Sequence, residues 1–177
     1  MKLSSTIIYL SLGIFFASCN EHHQQSPLQA GNEILTDTIP GSCPYLTKDN
    51  ENNVLLSWVR NGKNTATAFC YAVSTDGGNT FGKPIVIPSS GEIHPHSENL
   101  PKIITKPSGE MIALWGAANP NPGNKYAGAV FYSQSFDKGK VWTAPRPLVA
   151  DTASYDQRYY DVALLPNNEV AIAWLDN

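Results

Sequence analysis

Three tryptophans, Trp58, Trp115 and Trp174, recur at intervals of 57 and 59 residues, and each closes a segment of the same construction. The first segment runs from Pro44 to Trp58. The second passes from Pro101 through Ile103, Ile104, Pro107 and Gly109 to Trp115, and the third from Asp161 through Leu164, Leu165 and Pro166 to Trp174. Each reads as an apolar strand, a short polar turn and a second apolar strand. A repeat of this kind constrains the fold strongly, because one unit cannot bury its apolar face alone and must stack on its neighbours.

A second pattern follows the first two tryptophans. Ala68-Phe-Cys-Tyr-Ala-Val-Ser74 matches Ala129-Val-Phe-Tyr-Ser-Gln-Ser135, and both lead through a turn into a short apolar strand, Pro84–Pro88 and Pro145–Val149. Each unit therefore holds four strands, and the nearly continuous apolar runs suit strands covered on both faces. Thirteen glycines and thirteen prolines agree with a turn-rich β protein. Four-stranded units in radial repetition make an all-β fold, a β-propeller. Two complete blades are expected at about 43–90 and 100–150, with a partial blade at 158–177. Glu33–Ile39 takes the place of a fourth strand ahead of the first blade.

The third-to-fourth strand turns carry the sharpest motif. Ser74-Thr-Asp76-Gly-Gly78-Asn-Thr80-Phe81 fits the Asp-box pattern Ser-x-Asp-x-Gly-x-Thr-aromatic throughout. Ser135-Phe-Asp137-Lys-Gly139-Lys-Val-Trp142 fits except for Val141 in place of Thr. An Asp carboxylate can accept backbone N–H groups across a tight bend, and Gly supplies positive φ, so these residues are expected to build the fold rather than do chemistry.

On these boxes, and over nearly all of the chain after residue 32, the sequence resembles the bacterial sialidase-like (BNR, Asp-box) superfamily. The resemblance implies a six-bladed propeller, of which this chain would be an N-terminal fragment of about two and a half blades. It also implies exo-α-sialidase chemistry: a Tyr nucleophile assisted by a Glu, an Asp acid/base, and three Arg residues holding the substrate carboxylate. Such enzymes depart from the two-carboxylate scheme of most glycosidases. One departure concerns the first of these arginines, expected in an Arg-Ile-Pro motif at the start of the first blade. Ser42-Cys43-Pro44 stands there instead. Losing a buried charge partner of that kind costs a ligand roughly 2–5 kcal/mol.

The N-terminus reads as an export signal. Met1-Lys2 precedes an apolar run from Leu3 to Phe16, and Phe16-Ala-Ser-Cys19 resembles a lipobox, with Cys19 the lipidated residue. The expected organisation is a lipoprotein signal peptide over 1–18, a polar tether over 19–32 and the truncated propeller over 33–177. Membrane attachment would be through that lipid only, with a periplasmic or cell-surface location. Net charge is −3, without a Lys/Arg cluster, so no nucleic-acid partner is expected. Export would permit a Cys43–Cys70 disulfide; two small buried side chains are the other reading.

In an alternating four-stranded blade the box turns share a rim with the first-to-second turns. Ligand groups should then come from the opposite rim, from the segments between blades. The first such segment supplies His94, His96, Glu98 and Asn99, and the second Tyr155, Asp156 and Arg158. His94, His96, Asn99, Tyr155 and Arg158 are the ligand-binding candidates, and Glu98 and Asp156 the weaker acid/base candidates. The leading reading is an exported, glycan-directed protein that hydrolyses terminal sialic acids, with a sialoglycoconjugate as partner and no cofactor. A non-catalytic glycan- or protein-binding propeller is the alternative. A metal-binding propeller using His94, His96 and Glu98 is the lesser one.

Overall fold

The polar turns that end the inner strands are one structure built three times. Asp49 N–H donates to Asn53 O, Lys106 N–H to Glu110 O and Leu165 N–H to Glu169 O, at 3.0, 2.8 and 2.8 Å. The fourth residue of each turn, Asn52, Gly109 or Asn168, has positive φ (64°, 87° and 65°). Asn and Gly are the residues that enter that region most readily. These turns belong to a computed structural model that describes residues 34, 36–61, 67–119, 127–150 and 156–176.

Ten antiparallel strands and no helix occur among the described residues, so none holds a helix long and apolar enough to cross a membrane. Strands β1 (Gly41–Lys48), β2 (Val54–Arg60), β3 (Ala68–Ser74) and β4 (Ile85–Val86) form one meander in sequence order. A second is formed by β5 (Lys102–Thr105), β6 (Met111–Ala118), β7 (Gly128–Ser135) and β8 (Arg146–Pro147). Strands β9 (Gln157–Leu164) and β10 (Val170–Asp176) pair as a hairpin. All lie in one compact unit, Glu33–Asn177.

The second sheet is covered on both faces. Met111, Ala113 and Trp115 pack with Leu55, Val59, Phe69, Tyr71 and Ile87 of the first sheet. The alternate residues, Ile112 and Leu114, pack with Tyr160 and Val162 of β9. Period-two alternation between two apolar covers explains why β6 reads as a continuous apolar run. Each large side chain so buried adds roughly 1.5–3 kcal/mol.

Two expectations are revised. The fourth strands are only two residues long, since Pro84, Pro88, Pro145 and Pro147 have no N–H for a ladder. Pairing continues past them through single bonds, Ile87 N–H to Phe69 O and Leu148 N–H to Val130 O. The stretch before β1 shows no strand among its described residues, 34 and 36–39. Asp37 instead accepts Ile39 N–H at 3.2 Å and Arg60 Nε at 2.5 Å, and that local bond bends the chain. Cys43 and Cys70 are buried free thiols; burial pushes the Cys70 thiol up to about 11.

In the third-to-fourth turns the motif residues bond to one another. Ser74 Oγ donates to Asp76 Oδ1 (2.7 Å) and accepts Gly78 N–H (2.8 Å). Asp76 also accepts Thr80 N–H (2.9 Å) and Thr80 Oγ1 (2.6 Å). Ser135, Asp137, Gly139 and Val141 repeat the first three bonds at 2.8, 2.8 and 2.9 Å, while Val141 has no hydroxyl for the fourth. The hydroxyl and N–H of Thr80, with Ser74, hold the Asp76 carboxyl far below the usual range, and the Val141 N–H and Ser135 lower Asp137. Phe81 packs on the Trp58–Cys70–Ala72 cluster, and Trp142 meets Tyr71 edge-on across the sheet interface. Lys138 reaches Glu51 at 3.0 Å, joining turns of neighbouring sheets on this rim.

Candidate functional site

The inner strands β1, β5 and β9 begin at the other rim, and their registers align them. Tyr45 pairs with Ser57, Lys102 with Leu114 and Asp161 with Ala173, each partner lying one residue before the repeated tryptophan. Tyr45, Lys102 and Asp161 are therefore equivalent stations. Three residues earlier the equivalent stations are Ser42, Asn99 and Arg158. Register shifts follow Ser42 and Arg158, and the next residues, Cys43 and Tyr159, have positive φ (55° and 51°). A bulge there re-aims the side chains at the mouth of the strand. The station that carries Ser42 in the first unit thus carries Arg158 in the third.

A cavity of about 170 Å³ lies at this rim, walled by His94, His96, Asn99, Gly116, Gly128, Gln157, Arg158 and Tyr160. Four of the five ligand-binding candidates meet here: His94, His96, Asn99 and Arg158. Tyr155 and Cys19 lie outside the described residues. Backbone bonds fix the walls. His94 N–H donates to Gly116 O at 3.0 Å, and Asn99 Oδ1 accepts Tyr159 N–H at 2.5 Å.

The two acid/base candidates sit outside the wall. Asp156 lies behind Arg158, with its Oδ1 accepting Gly128 N–H (2.7 Å) and Arg158 Nε (2.8 Å), and its Oδ2 2.6 Å from the same Nε. That arrangement fixes the guanidinium by charge-assisted bonds. Glu98 is exposed, 4.0 Å from His96 Nδ1, and its own N–H donates to that nitrogen at 3.3 Å. No group of three His, Cys, Asp or Glu residues able to hold a metal ion occurs among the described residues.

Sequence reading passed over three contributors. Gly128 supplies the N–H that Asp156 Oδ1 accepts, and a Cβ there would meet that oxygen at 3.4 Å, an ordinary contact. Gln157, almost fully buried, accepts Val130 N–H through its side chain at 3.3 Å. Lys102, also buried, donates to Tyr160 O at 2.8 Å, lies 3.4 Å from Asp161 and sits 4.9 Å above the Tyr160 ring. Tyr160 is itself buried, its hydroxyl donating to Leu100 O at 2.9 Å, and burial raises its pKa far beyond the ordinary value. A signal for Lys102 existed: it aligns with Tyr45 and Asp161 once the tryptophans are superposed. A larger cavity, about 430 Å³, lies between residues 34, 36–42 and 44 and the side chains of Leu56 and Trp58, and gathers none of the candidates.

No protein-family model matches the chain, and no curated protein matches it. Solved structures do. An endo-arabinase from Bacteroides thetaiotaomicron is 20% identical, with a TM-score of 0.57 over 84% of this chain and 55% of that one. A protein of unknown function from Dyadobacter fermentans is 14% identical, with a TM-score of 0.55 over 82% of this chain and 40% of that one. The chain spans about half the length of these structures, or less. At such identities the likeness establishes the fold: an all-β, propeller-type array of antiparallel sheets.

Proposed function

We propose that the protein is an exported, sialidase-like glycan-directed protein whose rim cavity takes an anionic sugar of the sialic acid class. The observation that carries this is the convergence of His94, His96, Asn99 and Arg158 on one cavity from two separate segments. Arg158, braced by Asp156, offers a carboxylate a planar, fixed cation. The imidazoles and the Asn99 amide suit sugar hydroxyls. The likeness to an endo-arabinase supports a carbohydrate ligand, and Arg158 favours an acidic sugar over a neutral pentose.

In this reading residues 1–18 direct export, Cys19 carries the lipid, and 19–32 tether a six-bladed propeller at the periplasmic or outer surface. Hydrolysis of a fluorogenic sialoside by the full-length protein is the test. Release of the fluorophore, abolished in Arg158→Ala, is the expected result; no release and no binding of any sialoside would refute the proposal.

One arrangement favours the second reading, a glycan binder without hydrolysis. Asp156 is committed to Gly128 N–H and Arg158, which leaves it poorly placed to move a proton. Ser42 at the first-unit station, bonded by Asn61 Nδ2 at 2.8 Å, removes one cation from the mouth. Tight sialoside binding without turnover would establish this reading.

A further inference from the structure

The bulges in β1 and β9 are held in different ways. In β9, Asp161 pairs with Ala173 and Arg158 with Leu175, so Tyr159 and Tyr160 stand opposite Trp174 alone and interrupt the ladder. Backbone groups turned out of a ladder need other partners. Tyr159 N–H donates to Asn99 Oδ1 at 2.5 Å, Tyr160 O accepts from Lys102 Nζ at 2.8 Å, and the Tyr160 hydroxyl donates to Leu100 O at 2.9 Å. All three partners come from β5 and the residues leading into it, in the neighbouring sheet. The matching bulge in β1 is bonded from β2 and the residue after it: Ser42 Oγ accepts Asn61 Nδ2 at 2.8 Å, and Tyr45 O accepts Ser57 Oγ at 3.4 Å. A bulge therefore forms here without a tie to another sheet, and the tie is found where Arg158 stands.

Lys102 is a costly residue to place there. Its side chain is 11% exposed, and a buried ammonium is tolerated only when it is paired and hydrogen-bonded. Its polar partners are on β9: the Tyr160 carbonyl, the Asp161 carboxylate at 3.4 Å, and the face of the Tyr160 ring, whose centre is 4.9 Å away. Tyr160 lines the Arg158 cavity, whereas Lys102 is not among the described residues that wall it. One buried cation thus fixes the strand on the far side of the bulge from Arg158, while Asp156 holds the guanidinium from the near side.

We propose that Lys102 is a positioning residue for the Arg158 cavity: it acts through β9, setting where Arg158 stands, and not by touching the ligand. The proposal rests on the reading of that cavity as a site for an anionic sugar. Replacing Lys102 by Met keeps the aliphatic stem and removes the donor. Asp161, its side chain 79% exposed, is then solvated, so no charge is left buried and the fold is kept.

A double-mutant cycle on the full-length protein, titrated with the methyl glycoside of sialic acid, tests this. Lys102→Met is expected to weaken binding about tenfold in the parent and less than about twofold in Arg158→Ala, where the residue it positions is already gone. Hydrogen exchange read by mass spectrometry needs no ligand. In Lys102→Met, exchange over residues 157–161 should quicken while residues 74–80 keep the rate of the parent. Lys102→Gln, shorter and uncharged, replaces Lys102→Met in both measurements if that variant does not fold. Equal losses of affinity in both backgrounds, or no loss in either, overturn the proposal. So does exchange that quickens over both segments or over neither. If the parent binds no sialoside, the anionic-sugar reading falls, and the exchange comparison alone decides whether Lys102 fixes β9.

Discussion

The two rims of the protein are built by opposite rules. On the turn rim the bonds that shape each turn stay within four positions: Ser74 with Asp76 and Gly78, Asp76 with Thr80, Asp49 with Asn53. On the cavity rim the bonds reach across the chain, from Gly128 to Asp156, from Tyr159 to Asn99 and from Lys102 to Tyr160. Local bonding makes a repeatable frame. Non-local bonding leaves each unit free to carry a different side chain at the same station, as Ser42, Asn99 and Arg158 do. Loops on a rigid scaffold are where binding groups usually stand.

Matched substitutions on the two rims sharpen that contrast. The largest effect falls on Gly139, which has φ of 84° and would place a Cβ 2.2 Å from the buried Tyr71 hydroxyl. Gly139→Ala should lower stability by about 3 kcal/mol or more in denaturant unfolding, from backbone strain and overpacking together. Gly128→Ala meets only ordinary contacts, the nearest at 3.4 Å from Asp156 Oδ1. It should leave both unfolding and sialoside binding almost unchanged. A large stability loss in Gly128→Ala would break the contrast.

Next come two carboxylates. Asp156→Asn should bind sialoside about tenfold more weakly with a nearly unchanged melting temperature. Asp76→Asn should melt lower than the parent at neutral pH and bind normally. Because the Asp76 pKa is depressed in the folded state, its stabilisation is present above the ordinary carboxylate value of about 4 and fades as pH falls. The gap in melting temperature between Asp76→Asn and the parent should therefore close on acidification. A gap that widened towards acid would contradict the assignment. The smallest effect is Val141→Thr, which supplies the hydroxyl that Thr80 has and the second turn lacks; it should raise the melting temperature by on the order of a degree.

The same division decides what the sequence could disclose. The repeat, the turns and the four-strand order were legible because periodic tryptophans and the Ser-x-Asp-x-Gly spacing are local signals. The short fourth strands were legible in outline only, since flanking prolines limit the ladder without abolishing it. The segment before β1 misled, because its apolar alternation looks like a strand while Asp37 ties it to Ile39 and Arg60. Around the rim cavity, His94, His96, Asn99 and Arg158 could be grouped from their place between units. The brace from Asp156 to Gly128 and the burial of Lys102 could not, since both depend on which neighbouring unit packs alongside.

If ligand is bound at the cavity rim and the turn rim is architecture, removing one cation from each rim must have unequal effects. Titrating sialyllactose into Arg158→Ala and Lys138→Ala tests this. Arg158→Ala should lose about thirtyfold in affinity or more, and Lys138→Ala, which parts from exposed Glu51, should bind as the parent does. Unaltered binding in Arg158→Ala, or a loss confined to Lys138→Ala, would contradict it.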